Sequence, residues 1–287
     1  MTQDTLKNLL PKFIESLKEK GRSPATVLAY RSDLGQLVDF LVKREKVLPD
    51  QVRPDDLDSF RDTLLADKYT PKSVSRKLNA VKTFFRWMIA ENILTNDVSA
   101  SVAHPKIENV LPKFLNQLEY RALRDVVRND TRIAAIIELI LQTGLRISEV
   151  AGLKLENSKA GSLKIEAYAT QPERNVPLNK PASDALALYL NIRPKVDSPY
   201  VFISKNGKPL AVRNIRASVA RFMQRAELPN YSVNDLRTTF MVENLKAGVD
   251  LVLLSQVSGH KRLSTTERYL ELAQITEPGK KQTLIEL

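Results

Sequence analysis

The chain has 287 residues, 43% of them hydrophobic, with 44 Lys and Arg against 33 Asp and Glu, two histidines and no cysteine. That length exceeds the size at which one core usually keeps growing, so two domains are expected, and the missing cysteines exclude a disulfide framework or thiolate metal site and fit a reducing compartment. No apolar run reaches membrane-spanning length, and the opening MTQDTLKNLL carries acid, unlike a secretory leader, so a cytoplasmic protein with no membrane partner is expected. The net charge of +11 points to a polyanionic partner, because lysines and arginines that neutralise phosphates release condensed counterions.

The first hundred residues read as helical throughout. Residues 5–20 carry Leu6, Leu9, Leu10, Phe13, Ile14 and Leu17 on one stripe and stop at Gly21. Ser23-Pro24 sets a capping side chain before a proline at the first helical position, opening a helix that should run to about Lys46 through Val27, Leu34, Leu37, Val38 and Leu41. A shorter helix is expected over 54–66. Thr70-Pro71 repeats the cap-then-proline device and opens a fourth helix with Val74, Leu78, Val81, Phe84, Phe85 and Met88 on its apolar face.

The opposite face of that fourth helix carries Lys72, Ser73, Arg76, Lys77 and Lys82. Such a face is either a solvated helix surface or a set of phosphate contacts. The overall positive charge and the hydroxyl residues near its start favour phosphate contacts in a major groove, with Thr26 and Tyr30 on the second helix as companions. Residues 96–112, NDVSASVAHPKIENVLP, lose all periodicity and read as a linker that contains His104 beside a proline.

The second half opens with helices expected over 116–127 and 131–142, the latter ending at Gly144. TGLRISEV follows, placing Arg146 in a turn between helices, where a charged residue is either snorkelling to water or held inward for an anion. Residues 164–168 and 175–178 alternate like strands around a loop at 169–174. A helix near 182–189 and a strand near 200–203 come next, and Asn206-Gly207 signals a hairpin turn. Residues 213–226 form a basic helix bearing Arg213 and Arg216, and YSVNDLRTTF then leads a helix that stops at Gly248. The fold class is mainly α: a helical N-terminal domain followed by a mostly helical domain with a small antiparallel sheet.

Near the C-terminus, SGHKRLSTTERYL carries His260 and Tyr269. Asp250 caps a short helix that Gly259 ends with a left-handed residue, and Ser264 with Glu267 makes a capping-box pattern for a second helix with Tyr269 in its second turn. Alone, the pair reads better as a packed tyrosine beside a satisfied histidine than as chemistry.

The order TGLRISE, a hairpin with RxVPL, DLRTTF and SGHKxLSTTxRY resembles the phage integrase family of tyrosine recombinases, especially its Xer-like members, over nearly the whole chain. The resemblance implies a core-binding, SAM-like domain at 1–95, a linker at 96–112, a catalytic domain at 113–276 and a C-terminal tail at 277–287 that docks into a neighbouring protomer, with disorder or packing in cis as its other reading. It implies site-specific recombination without metal or nucleotide cofactor. Tyr269 matches the nucleophile that forms a 3′-phosphotyrosyl link, Arg146 and Arg237 match the clamp on the non-bridging oxygens, and His260 matches the histidine that assists there. Glu149 matches an acid that orients these groups; an ordinary first-turn carboxylate is its other reading. A planar guanidinium suits the clamp because it donates two parallel hydrogen bonds and stays charged at working pH. Double-stranded DNA at a specific site, a tetramer on that DNA, and an accessory protein or second recombinase are the partners implied.

Two departures from the family pattern matter. Aligned on RxVPL, the lysine that protonates the departing 5′-oxygen falls on Ala169, within Tyr168-Ala169-Thr170, and the first histidine of the HxLRH box is Asn234, which can donate a hydrogen bond but cannot titrate. Asn234 reads equally as a helix cap. Lys164, Arg174 and Lys205 are the candidates to replace the acid. A slow enzyme, or a catalytically impaired recombinase-like protein that binds and regulates at specific DNA sequences, is the alternative, since losing a general acid costs roughly 10²–10⁴-fold in rate.

Overall fold

The computed structural model describes residues 4–108, 111–159, 161–167, 171–204 and 206–275. Tyr168, Ala169, Thr170, Lys205 and the tail at 277–287 lie outside the described residues. The chain divides into two compact units, Met1–Asn109 and Val110–Leu287.

The first unit is four helices: α1 (Leu6–Glu19), α2 (Pro24–Val42), α3 (Pro54–Ala66) and α4 (Pro71–Ala90). The cap-then-proline devices work as the sequence suggests. Ser23 and Thr70 hold extended backbone and their hydroxyls accept the N–H groups of Thr26 and Ser73, satisfying donors that the first helical turn leaves open. α2 stops at Val42, four residues before the expected Lys46, because Glu45 adopts a positive φ and the backbone turns back onto Leu41 and Val42. Leu6, Leu9, Phe13, Leu34, Leu37, Leu57, Phe84 and Phe85 fill the core, with Phe13 packed on Phe84 at 5.2 Å between ring centroids. After α4, Val102 is buried in this same core and His104 Nδ1 lies 2.9 Å from Ser75 Oγ.

Lys77 does not belong to an exposed basic face. It is 4% exposed, and its ammonium donates to Asp33 (2.9 Å) and Gln36 (2.7 Å) on α2, while Arg76 clasps the other side of the buried Asp33 carboxylate. A buried ammonium is tolerated only when paired, and here the pairing fastens α4 to α2. The face expected to touch DNA is reduced to Lys72, Ser73, Arg76 and Lys82.

The second unit is built on α6 (Thr131–Thr143), which α8 (Lys180–Ile192) and α10 (Val233–Lys246) flank. α5 (Gln117–Val127), α7 (Ile147–Gly152) and α9 (Val212–Arg225) close the same core through Leu123, Val150, Ile215, Val219 and Phe222. The strands β1 (Ser158–Lys159), β2 (Ser162–Ile165) and β3 (Arg174–Pro177) pair antiparallel in the order β1-β2-β3, with Lys164 opposite Asn175 and Ile165 opposite Arg174. Residues 200–203 are not a strand. They make only the isolated bridges Lys154 to Tyr200 and Ile203 to Pro209, because the Arg193 guanidinium takes the carbonyls of Tyr200 and Val201 that a ladder would use. The short helices α11 (Leu251–Ser258), α12 (Ser264–Glu267) and α13 (Leu270–Ile275) complete the unit, with Leu254 and Tyr269 packed on Phe240 and Met241 of α10. Among the described residues no helix is long and apolar enough to cross a membrane.

The Asp33 carboxylate sets a stability test. Asp33→Ala leaves the Lys77 charge buried without its partner and is expected to cost about 3–5 kcal/mol, whereas Asp33→Ala combined with Lys77→Met recovers most of that loss. Urea denaturation followed by fluorescence of Trp87, the sole tryptophan and a member of the same core, measures both. Equal destabilisation by the single and double substitutions would refute the pairing argument.

Candidate active site

The site is organised on the C-terminal end of α11. The last carbonyls of a helix have no partner within it, and here three arginines from three other elements supply the missing donors. Arg174 Nε donates to Val257 O at 2.8 Å; Arg146 Nη1 and Arg237 Nη2 converge on Ser258 O at 3.2 and 2.7 Å; Arg146 Nη2 donates to Gly259 O at 2.8 Å. Cations at a helix C-terminus also complement its dipole.

Each arginine is delivered by local sequence. α6 ends at Gly144 in the left-handed region (φ 64°), where a Cβ would lie 2.3 Å from the Phe240 ring, so only glycine permits this close crossing. The chain then places Arg146 as the N-cap of α7, and Glu149, three residues on, accepts the Arg146 backbone N–H at 2.8 Å and its Nη1 at 3.1 Å. Arg237 projects from α10 and also donates to Gly144 O. Arg174, at the start of β3, places Nη1 and Nη2 on the two oxygens of Glu149 at 2.9 and 2.8 Å, a fork-to-fork pair. Gly259 likewise has φ 64°, and a Cβ there would meet Arg174 Nη1 at 2.7 Å.

Charge is unbalanced in this cluster: three guanidiniums face one carboxylate. Burial would raise the Glu149 carboxyl, but its hydrogen bonds to Arg174 and Arg146 outweigh that and hold it below the ordinary carboxylate range. Arg237 is pushed down to about 10, first by burial and then by the neighbouring Arg146 charge, and it remains a cation at neutral pH. His260 is pushed down to about 4 by burial and by the charges of Arg237, Arg146 and Arg174. Its tautomer follows from its neighbours. Arg237 Nη2, 2.8 Å from His260 Nε2, can only donate, so Nε2 is the acceptor and the ring proton sits on Nδ1, 2.8 Å from Thr266 Oγ1. The arrangement can therefore bind an anion beside a neutral imidazole and a phenol.

Tyr269 lies against this imidazole, its ring nearly parallel at 9° with 6.2 Å between centroids. It does not sit in the second turn of a helix capped by Ser264. Leu263 already has helical backbone angles and makes no side-chain cap, α12 is a single turn ending at Glu267, and Tyr269 occupies the turn before α13. The buried Thr266 that receives His260 Nδ1 comes from the same turn.

Of the candidates to replace the missing lysine, two have side chains engaged by other partners. Lys164 and Asn175 share one face of the β2–β3 pair while Ile165 and Arg174 share the other, since side chains alternate along a strand. Arg174 reaches the cluster, so Lys164 points away from it, exposed and paired with Glu173 at 3.1 Å. Arg174 is held by Glu149 and Val257 O, with its side chain only 10% exposed. It braces the site. Lys205 is outside the described residues. Asn234 is exposed in the first turn of α10 and is not its cap, which is Ser232 bonded to Asp235. Gln171, outside every motif, and Thr266, within SGHKxLSTTxRY but given no role there, join the cluster: Gln171 Oε1 accepts Arg146 Nη1 at 2.7 Å.

The DNA-contact candidates lie on both units. Thr26 and Tyr30 are half-buried on α2, Thr26 bonded to Ser23 and Tyr30 packed edge-on to Phe13. On α4, Lys72 is exposed, Ser73 is bonded to Thr70, Arg76 keeps 55% of its side chain exposed while paired with Asp33, and Lys82 reaches Ala100 O at 3.4 Å. Arg213 and Arg216 are exposed on α9.

Neutral His260 gives a pH test. Its folded-state pKa near 4 lies below the ordinary value of about 6.5, so the unfolded chain binds the extra proton and stability falls as pH drops from about 6.5 to about 4. Allowing for partial exposure of the ring, the loss is roughly 2 kcal/mol. Thermal unfolding across that range is expected to show a lower midpoint at the acid end, with a shallower decline in His260→Gln; an identical decline in that variant contradicts the assignment.

The chain matches the model of the phage integrase family over residues 113–275 and that of the phage integrase N-terminal SAM-like domain over residues 10–92. It is 31% identical over 273 residues to a tyrosine recombinase XerC of Thermodesulfovibrio yellowstonii, covering 90% of this chain and 89% of that protein. Among solved structures, a lambda integrase dimer bound to a COC′ core site superposes with a TM-score of 0.76 at 18% identity, covering 99% of both chains. A lambda integrase tetramer bound to a Holliday junction does so with a TM-score of 0.73 at 19% identity, covering 90% of this chain and 78% of that one. The mainly α fold with its small antiparallel sheet is thus shared with lambda integrase, and the chain belongs to the phage integrase family of tyrosine recombinases.

Proposed function

We propose that this protein is a site-specific DNA recombinase that cleaves and rejoins DNA through a 3′-phosphotyrosyl intermediate at Tyr269. The observation that carries the reading is the convergence of Arg146, Arg237 and His260 on one end of α11, with the Tyr269 ring stacked on the imidazole. In this reading Arg146 and Arg237 hold the non-bridging oxygens of the scissile phosphate. Fixed donors aimed where negative charge gathers in the pentavalent state lower its energy most. Tyr269 attacks phosphorus as its phenol proton passes to His260, the bond to the 5′-oxygen breaks with that oxygen taking a proton from water, and the phosphotyrosyl bond retains the energy needed for religation, so no nucleotide is required.

Proton transfer follows from the same geometry. With Nε2 as acceptor, neutral His260 can take up a proton once the phosphate dianion-like charge offsets the arginines that hold it neutral. Arg174 and Glu149 position the clamp and touch no reacting atom. A tetramer on DNA, formed through the tail at 277–287, extends the reading to the assembly, as does a cytoplasmic location. The arrangement of Lys72 and Arg76 on α4, and of Arg213 and Arg216 on α9, supports phosphate contacts from both units.

A second reading has its own support: Lys164 faces away from the cluster, Arg174 is committed to Glu149, and Asn234 is exposed and untitratable. A chain so equipped would cleave slowly or would bind DNA without cleaving it.

Incubation with nicked suicide duplexes built on inverted repeats flanking the gene separates the two. A recombinase accumulates a covalent protein–DNA adduct that Tyr269→Phe abolishes while retardation of the same duplex persists. Absence of adduct with a duplex that is specifically retarded, or an undiminished adduct in Tyr269→Phe, would rule out the proposed chemistry. Arg237→Ala is expected to lower adduct formation by at least roughly 10²-fold, the scale for removing one donor from a developing oxyanion.

A further inference from the structure

Arg146 Nη1 carries two hydrogens, yet three acceptors lie within reach: Gln171 Oε1 at 2.7 Å, Glu149 Oε1 at 3.1 Å and Ser258 O at 3.2 Å. Two of the three belong to the permanent scaffold. Glu149 is already gripped by both terminal nitrogens of Arg174 and by the Arg146 backbone, and Ser258 O is shared with Arg237. Gln171 differs from both. It lies in the connection that leads into β3, its side chain makes no second hydrogen bond among the described residues, and it offers an uncharged oxygen at the shortest of the three distances. Because a guanidinium only donates, the amide must face Arg146 through oxygen.

We propose that Gln171 is an exchangeable occupant of the phosphate site: its Oε1 holds Arg146 Nη1 while no phosphodiester is present, and a non-bridging phosphate oxygen takes over that hydrogen bond when DNA binds. The inference rests on the reading that Arg146 holds phosphate. Exchange is downhill because the incoming oxygen is anionic: the Arg146–Gln171 bond is charge-assisted through its donor alone, whereas a phosphate oxygen adds the Coulombic attraction of an ionised acceptor. Three guanidiniums against one carboxylate favour an added anion at this point and not an added amide. The occupant has two consequences. It keeps the Arg146 fork oriented before substrate arrives, and it ties the end of the β2–β3 connection to the occupancy of the site, releasing that segment when phosphate enters.

The test uses the full chain and inorganic phosphate as probe, at low ionic strength. Occupancy of the cluster is followed through the ring resonances of His260, distinguishable from those of His104, the only other histidine. Gln171→Met keeps the volume and removes the competing oxygen; it is expected to tighten phosphate binding about 3- to 10-fold, the worth of one displaced hydrogen bond. Gln171→Ala should shift affinity in the same direction. Gln171→Glu places a carboxylate on Arg146 and should weaken binding by roughly 10-fold or more, since like charges then compete for one donor. If Gln171→Met and Gln171→Ala bind phosphate no more tightly than the parent, the occupant proposal is wrong. Arg146→Ala separates that failure from a deeper one. Loss of the His260 response supports Arg146 as the phosphate holder, and a response persisting at parental affinity removes that assignment and the Gln171 proposal with it.

Discussion

Four hydrogen bonds from Arg146, Arg174 and Arg237 to the carbonyls of Val257, Ser258 and Gly259 hold the candidate site together. Backbone carbonyls at a helix end need donors, and a protein can supply them with water, with a further residue of the same chain segment, or with cations. This chain uses cations drawn from the α6–α7 turn, from β3 and from α10. Elements far apart in sequence are therefore registered against one another by a single helix terminus. The two glycines at φ 64° are the geometric counterpart: Gly144 lets α6 pass against Phe240, and Gly259 lets Arg174 approach the backbone.

The electrostatic consequences run in one direction. Burial first, and then the three guanidiniums gathered around one carboxylate, raise the cost of a further cation, which is why His260 and Arg237 are both pushed down. The same excess makes an anion welcome. The tautomer fixed by Arg237 and Thr266 presents the His260 Nε2 toward the arginines. The phenol stacked on that ring is positioned by packing on Phe240, Met241 and Leu254, so phenol and cluster share α10 as a common support.

Much of this was legible in the sequence because its causes are local. Ser23-Pro24 and Thr70-Pro71 announce helix starts, Gly144 and Gly259 announce helix ends, and the spacing of Arg146, Arg237, His260 and Tyr269 carries the family resemblance. What was not legible depends on partners distant in sequence. Lys77 shares a helical face with Lys72 and Arg76, but only the position of Asp33 on the neighbouring helix turns it inward. Arg174 and Lys164 look interchangeable as cations on a hairpin until the register pairs Arg174 with Ile165 and sends the two side chains to opposite faces. Ser264 and Glu267 have capping-box spacing, yet Leu263 is already helical, so the pattern describes a turn that starts one residue earlier. Gln171 carries no signal in one sequence, and Thr266 lies within a motif without its role being readable, since an amide and a hydroxyl become informative only beside a guanidinium and an imidazole.

We propose that Arg174 braces Glu149 and the end of α11 and does not protonate the departing 5′-oxygen. Cleavage of an ordinary nicked substrate and of one carrying sulfur at the 5′-bridging position tests this directly in Arg174→Met, because sulfur leaves without a proton. A bracing role predicts that both substrates slow by the same factor, leaving the thio-to-oxygen rate ratio at its parental value. A ratio that rises in the variant, with the sulfur substrate selectively rescued, would contradict it and make Arg174 the acid.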